Sequence, residues 1–113
     1  MTADVCLVLC TCPDADSASD LAHALVASRL AACVNIVPGL ASVYGWQGQV
    51  ETAQEHLLLI KTALDDEAYT RLEGLIRQHH PYDIPEIIAI PITRGSSDYL
   101  GWIGAWLEKQ HDI

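Results

Sequence analysis

The stretch Gln49–Thr62 carries strand character without a break, and it is too long for the chain that contains it. At about 3.4 Å per residue, an extended segment of this length spans roughly 46 Å. A compact chain of 113 residues has a radius of gyration of about 13 Å, hence a diameter of roughly 35 Å. If the strand is continuous, one end overhangs its own domain. The overhang contains Val50–Gln54, which lacks a clean apolar face and presents an edge of unpaired backbone groups. Proteins cover such edges, and a neighbouring subunit is the natural cover. The competing reading is a bulge or turn near Ala53 that breaks the strand. Composition points the same way as the overhang. Half the residues are apolar, at the top of the usual range, and a subunit interface is the ordinary destination for the surplus.

The remaining elements follow from periodicity. Val5–Thr11 is an apolar run of strand length ended by Pro13-Asp14, and Asp14–Leu30 repeats its apolar residues at helical spacing. Cys33–Val37 predicts a strand closed by a Pro38-Gly39 turn, and Leu40–Trp46 a further strand. Asp65–His79 predicts a helix with Tyr69, Leu72, Leu75, Ile76 and His79 on one stripe. Glu86–Ile92 predicts the last strand, and a Ser96 or Ser97 cap opens a final helix carrying Leu100, Ile103 and Leu107. The expected class is α+β. It is a ferredoxin-like split βαβ sandwich, residues 1–113 as one domain, with two helices on one sheet face, an elongated central hairpin and a C-terminal helix. The continuous apolar runs Val5–Leu9, Leu57–Ile60 and Ile87–Ile90 predict central strands covered on both faces.

The formal net charge is −9, and the six basic residues (Arg29, Lys61, Arg71, Arg77, Arg94, Lys109) form no run. A phosphate-binding stripe needs clustered cations, so nucleic acid is excluded as a partner, and the acidity argues against an anionic membrane surface. Met1–Asp4 has no basic leader, and Val5–Leu9 is too short for a signal core or a membrane span. The expected compartment is the cytoplasm, where Cys6, Cys10, Cys12 and Cys33 stay reduced. No phosphate-cradling glycine loop, nucleophile elbow or HExxH helix is present, so the chain is not expected to be an enzyme.

The segment HHPYDIPEIIAIPI, His79–Ile92, gathers two imidazoles, a phenol and two carboxylates on a connector stiffened by Pro81 and Pro85. It stands in order with VLCTCPD, LAACVNIVPGLASVYGWQGQVE, EHLLLIKT and a closing G-x-x-x-Y-L-x-W-I at Gly95–Ile103. Together these blocks resemble the CutA family of divalent-cation tolerance proteins, over essentially the whole chain. The resemblance implies a ferredoxin-like fold and a tight homotrimer whose long strands interlock. It also implies a small cytoplasmic protein linked to tolerance of copper and other divalent cations. The implied copper ligands are Cys10, His79 and His80.

Thiolate and imidazole are donors that copper and zinc prefer. Neighbouring helical residues point about 100° apart, so His79 and His80 cannot both face one ion while helical. Pro81 disfavours the helical region for His80 and can swing its ring. Cys12 adds an alternative: if the strand reaches it, Cys10 and Cys12 share a face and form a Cys-x-Cys clip; if Pro13 has already turned the chain, it plays no part. Each residue also has a structural reading. Cys10 suits a buried small residue, His79 a helix end, His80 a hydrogen bond across the loop, and Cys6 and Cys33 the core.

A second constellation, Lys61, Tyr82, Glu86, Tyr99 and Trp102, sits near element ends where a ligand pocket could form between subunits. Lys61 leaves an apolar strand and needs a partner, for which Glu86 is the expected carboxylate. Arg94 with Gly95-Ser96-Ser97 offers an anion seat at a helix start. Read functionally, these residues suggest a trimeric effector-binding module comparable in outline with PII-like signalling trimers. Read structurally, they are an ion pair, aromatic packing and a cap. A third reading is a trimer that scaffolds a partner protein.

Overall fold

The computed structural model describes residues 4–108. Lys109 and the residues before Asp4, on which the charge and leader readings partly rest, lie outside them. The elements are β1 (Val5–Cys12), α1 (Ala15–Ala27), β2 (Cys33–Trp46), β3 (Gln49–Ala63), α2 (Asp66–His79), β4 (Ile88–Pro91) and α3 (Ser97–Glu108). The four strands form one antiparallel sheet in the order β2-β3-β1-β4, a ferredoxin-like arrangement.

Each helix begins and ends for a local reason. Asp14 caps α1 by accepting the Ser17 N–H at 2.8 Å, and Asp65 caps α2 by accepting the Glu67 N–H at 2.9 Å. At the far end of α1, Arg29 adopts φ 61° while its N–H and that of Leu30 return to the Val26 and Leu25 carbonyls. This is a Schellman close with arginine where glycine is usual. Left-handed backbone costs an ordinary residue about 1–2 kcal/mol. Arg29 recovers part of it by stacking 3.5 Å from the Trp106 ring centre and donating to the Trp106 carbonyl, which ties α3 to α1. Trp106 Nε1 in turn donates to the Val26 carbonyl at 3.1 Å. At the end of α2, Pro81 forces His80 to φ −81°, ψ 137°, and the helix stops.

The strand predicted at Leu40–Trp46 is not separate. It continues Cys33–Val37 as one β2, and Pro38-Gly39 makes a bulge rather than a turn. The register runs Val37↔Leu57 and then Leu40↔Glu55, so two residues oppose His56 alone. Gly39 supplies φ 75°. Proline has no N–H to lose, and β2 is an edge strand, where such an irregularity is tolerated. The break near Ala53 does not occur: β3 runs unbroken for 15 residues. Gln47 and Gly48, with φ 50° and 78°, close the hairpin in the manner of a type I′ turn. The hairpin gives the molecule its long axis, with extents of 47 × 29 × 23 Å.

One sheet face is covered. Cys6, Val8, Cys10, Cys12, Leu58 and Ile60 pack under Ala18, Leu21, Leu25, Leu72 and Ile76 of the two helices. On α2, Leu72 and Ile76 are buried and Tyr69 and Leu75 half-buried, but His79 is exposed. The other face is covered at one end only, where Ile103 and Leu107 of α3 pack with Val5 and Ala32. Beyond that end Leu7, Leu9, Leu57 and Leu59 are half-exposed, and Ile88 and Ile90 are 50 % and 45 % exposed. Cover on both faces, expected from the apolar runs, is therefore not supplied by the chain itself. Among the described residues, no helix is long and apolar enough to cross a membrane.

Candidate metal centre

The strand β1 reaches Cys12 before Pro13 turns the chain, so Cys10 and Cys12 point to the same, helix-covered face. Both are fully buried. His80 arrives from the other side: released from the helix by Pro81, its ring turns back under the sheet end. The Cys10 and Cys12 sulfurs and a His80 ring nitrogen lie within 4.8 Å of one another. His79 takes no part in that cluster. It stays helical and exposed, its Nδ1 donating to the Leu75 carbonyl at 3.1 Å.

The two thiols differ. The hydrogen bond between them pulls Cys12 below the usual thiol range, helped by Ser17 and opposed by burial. The same bond, then burial, then the Cys12 charge, push Cys10 far up. Cys12 is thus the first to become a thiolate, while the Cys10 thiol also reaches the Thr11 carbonyl at 3.9 Å. A thiolate is the form that a soft ion binds.

His80 is engaged at both nitrogens. Nε2 donates to the Thr11 carbonyl at 2.7 Å and lies 3.8 Å from Cys12 Sγ, while Nδ1 accepts the Tyr82 N–H at 3.1 Å. A carbonyl only accepts, so the proton sits on Nε2. The thiol pair therefore fits a soft or borderline ion as it stands, whereas His80 can lend Nε2 only after surrendering that proton and its bond to Thr11.

His56 was not singled out from sequence. It faces the covered side two residues before Leu58 and pairs directly with Cys12 across the ladder. Its Nδ1 is the buried side-chain nitrogen or oxygen without a hydrogen-bond partner among the described residues. The strand alternation His56, Leu58, Ile60 was the signal that could have found it.

The second constellation separates into two places. Lys61 donates to the Asn35 amide oxygen and lies 3.8 Å from Cys33 Sγ. The expected Lys61–Glu86 pair does not form. Lys61 pairs Leu7, whereas Glu86 precedes Ile88, the partner of Leu9, and leaves the sheet toward the Thr11 end. The ion pairs among the described residues are the exposed helical Arg71–Glu67 and Arg77–Glu73. Tyr99 and Trp102 stack at 5.8 Å on α3, whose first turn is capped by Ser96 accepting the Tyr99 N–H; Arg94 is exposed nearby. Tyr82 and Glu86 instead line a groove of about 740 Å³ with Tyr44 and Trp46 of the hairpin arm. In its wall the Tyr82 hydroxyl donates at 2.8 Å to Glu55, a carboxylate only 6 % exposed. Burial, then the Glu55 bond and charge, hold the Tyr82 phenol above its ordinary range.

Comparison with known proteins gives one consistent answer. The family model described as CutA1 divalent ion tolerance protein matches residues 6–105. "Divalent-cation tolerance protein CutA" of Thermus thermophilus is 50 % identical over 97 residues, 86 % of this chain and 92 % of the relative. The protein of that name from Escherichia coli is 42 % identical over 106 residues, 94 % of this chain and 92 % of the relative. The crystal structure of CutA1 from Oryza sativa superposes with a TM-score of 0.88 at 41 % identity, covering 93 % of this chain and 94 % of that one.

Proposed function

The chain belongs to the CutA1 divalent ion tolerance family, and on that premise we propose that it binds a transition-metal ion of the copper–zinc class at its buried thiol pair, acting in cation tolerance as a cytoplasmic, non-catalytic homotrimer. The observation that carries the reading is the convergence of Cys10, Cys12 and His80 within 4.8 Å. Sulfur and imidazole donors rank copper first among the first-row divalent ions. Cys12 gives up its proton ahead of Cys10. Of the ligands implied by resemblance, Cys10 and His80 stand at this place. His79 points elsewhere, and Cys12 lies beside Cys10.

The trimer is supported by the open apolar face and by the overhanging hairpin, whose Val43, Tyr44, Trp46 and Val50 are exposed. Copies that lay their sheets together would cover both.

The test is metal titration against a competing chelator. Wild type is expected to take one ion per chain, and Cys10→Ser/Cys12→Ser to lose it, while His79→Gln binds as wild type does. Unchanged stoichiometry and affinity in the double cysteine variant would sink the reading. Light scattering with and without chelator tests the trimer, which a stable single-copy mass at micromolar concentration would refute.

The groove of about 740 Å³ favours a second reading, an effector-binding module using Tyr82 and Glu86. It predicts that a small metabolite raises the melting temperature of wild type but not of a Glu86→Gln variant. A metabolite screen without any shift counts against it.

A further inference from the structure

His80, the imidazole nearest the thiols, is already committed. His56, the imidazole paired with Cys12, is not. The first needs its Nε2–H for Thr11, while the second has a buried Nδ1 with no partner. An unpaired buried polar atom is costly, so it calls for an explanation. We propose that His56 Nδ1 is the imidazole ligand that completes a Cys10–Cys12–His56 site for a divalent ion, with His80 as an outer partner that clamps Thr11 and faces the Cys12 sulfur. The proposal rests on the metal-binding reading above and names its ligand set and ion.

Three observations carry it. Register comes first: Cys12 and His56 are direct ladder partners on the covered face, which places their Cβ atoms about 4.5–5.5 Å apart. A broken register on its other side comes second. His56 sits opposite the Pro38-Gly39 bulge, where the ladder with the neighbouring edge strand is interrupted. In the present conformation the ring stands outside the 4.8 Å cluster of the other three, and rotation about its own side-chain bonds is the movement that ligation needs.

Charge comes third. Two thiolates and one neutral imidazole hold a divalent ion with no net charge, which suits a place where both cysteines are fully buried. A monovalent ion would leave one negative charge uncompensated there. The donor charge therefore suits a dication better than a monovalent ion, and three protein donors leave one position of a tetrahedral ion open. Binding expels the two thiol protons to solvent and moves no electrons, so affinity rises with pH.

Cobalt(II), a spectroscopic stand-in for zinc, tests this in the intact protein. Wild type is expected to show the intense visible bands of low-symmetry cobalt together with sulfur charge-transfer absorption. His56→Gln should lose about 100-fold in affinity and change the band envelope. His80→Gln, which removes an outer partner, should lose roughly 10–100-fold while keeping the envelope. Should the His56 variant fold poorly, zinc addition to ¹⁵N-histidine-labelled wild type decides the matter: the His56 Nδ1 resonance shifts and that of His79 does not. Wild-type bands and affinity in His56→Gln, or an unmoved His56 resonance on zinc addition, overturn the proposal. If Cys10→Ser/Cys12→Ser still abolishes binding in that case, the wider metal reading survives. If the cysteine variant binds as wild type does, both fall.

Discussion

The Tyr82–Glu55 contact makes a prediction whose size can be worked out. Glu55 lies on β3 with 6 % of its surface exposed, and the Tyr82 hydroxyl is the side-chain donor it meets, at 2.8 Å. Tyr82→Phe deletes that donor and keeps the ring. Hydrogen bonds to charged groups contribute about 1.5–3 kcal/mol. Tyr82 is 36 % exposed, so water replaces part of what is lost and the lower end applies, about 1.5 kcal/mol. For a chain of this size that corresponds to a fall of about 6 °C in melting temperature. The comparison must be made at one protein concentration, because association shifts apparent stability. The charge is the crux, so a double-mutant cycle is the assay. In a Glu55→Gln background the bond becomes neutral and its loss shrinks to roughly 0.5–1 kcal/mol, leaving a coupling of roughly 0.5–1 kcal/mol by chemical denaturation. Equal losses in both backgrounds, or a Tyr82→Phe effect below about 0.5 kcal/mol, would refute the reasoning.

Alkaline stability should follow from the same residue. Its phenol is held up in the folded state, by burial first, so the unfolded chain loses its proton earlier and stability declines as pH rises past about 10. Denaturation midpoints between about pH 9 and 11 should fall less steeply in Tyr82→Phe, though not flatten, since burial also raises Tyr69 and Tyr99. Cys10→Ala should move the Cys12 thiolate to higher pH, read by thiolate absorbance, because the largest cause of its lowering is the bond from Cys10; an unmoved titration would contradict that assignment. Leu58→Ala, in the fully buried centre of the sheet, should cost about 3 kcal/mol in urea unfolding. Gly39→Ala meets no atom within 4 Å of the added methyl, so its expected loss of about 1 kcal/mol comes from φ 75° alone; a neutral result would mean the bulge relaxes freely.

Periodicity and punctuation were legible in the chain because they act over a few neighbours. The strand alternation, the helix stop at Pro81 and the strand character of Gln49–Thr62 are each written in adjacent side chains and backbone preferences; that no break falls near Ala53 was decided by the pairing with β2. Pro38-Gly39 was misread as a turn because a proline–glycine pair punctuates the backbone in either case; only the hydrogen-bonding partner β3 decides that β2 resumes at Leu40. The split of Lys61 from Glu86 has the same origin, since register across two ladders sets how far apart strand ends lie.

The cation-tolerance membership was likewise carried by the order of the sequence blocks. Which donors meet was not. Adjacent His79 and His80 look equivalent in sequence, yet one dihedral change before Pro81 sends the first to solvent and the second under the sheet. His56 meets Cys12 only through the β1–β3 pairing of strands far apart in the chain. Local residues dictated the elements, because backbone preferences are short-ranged. Tertiary packing chose the contacts, because a side chain's partner depends on which distant strand lies beside it.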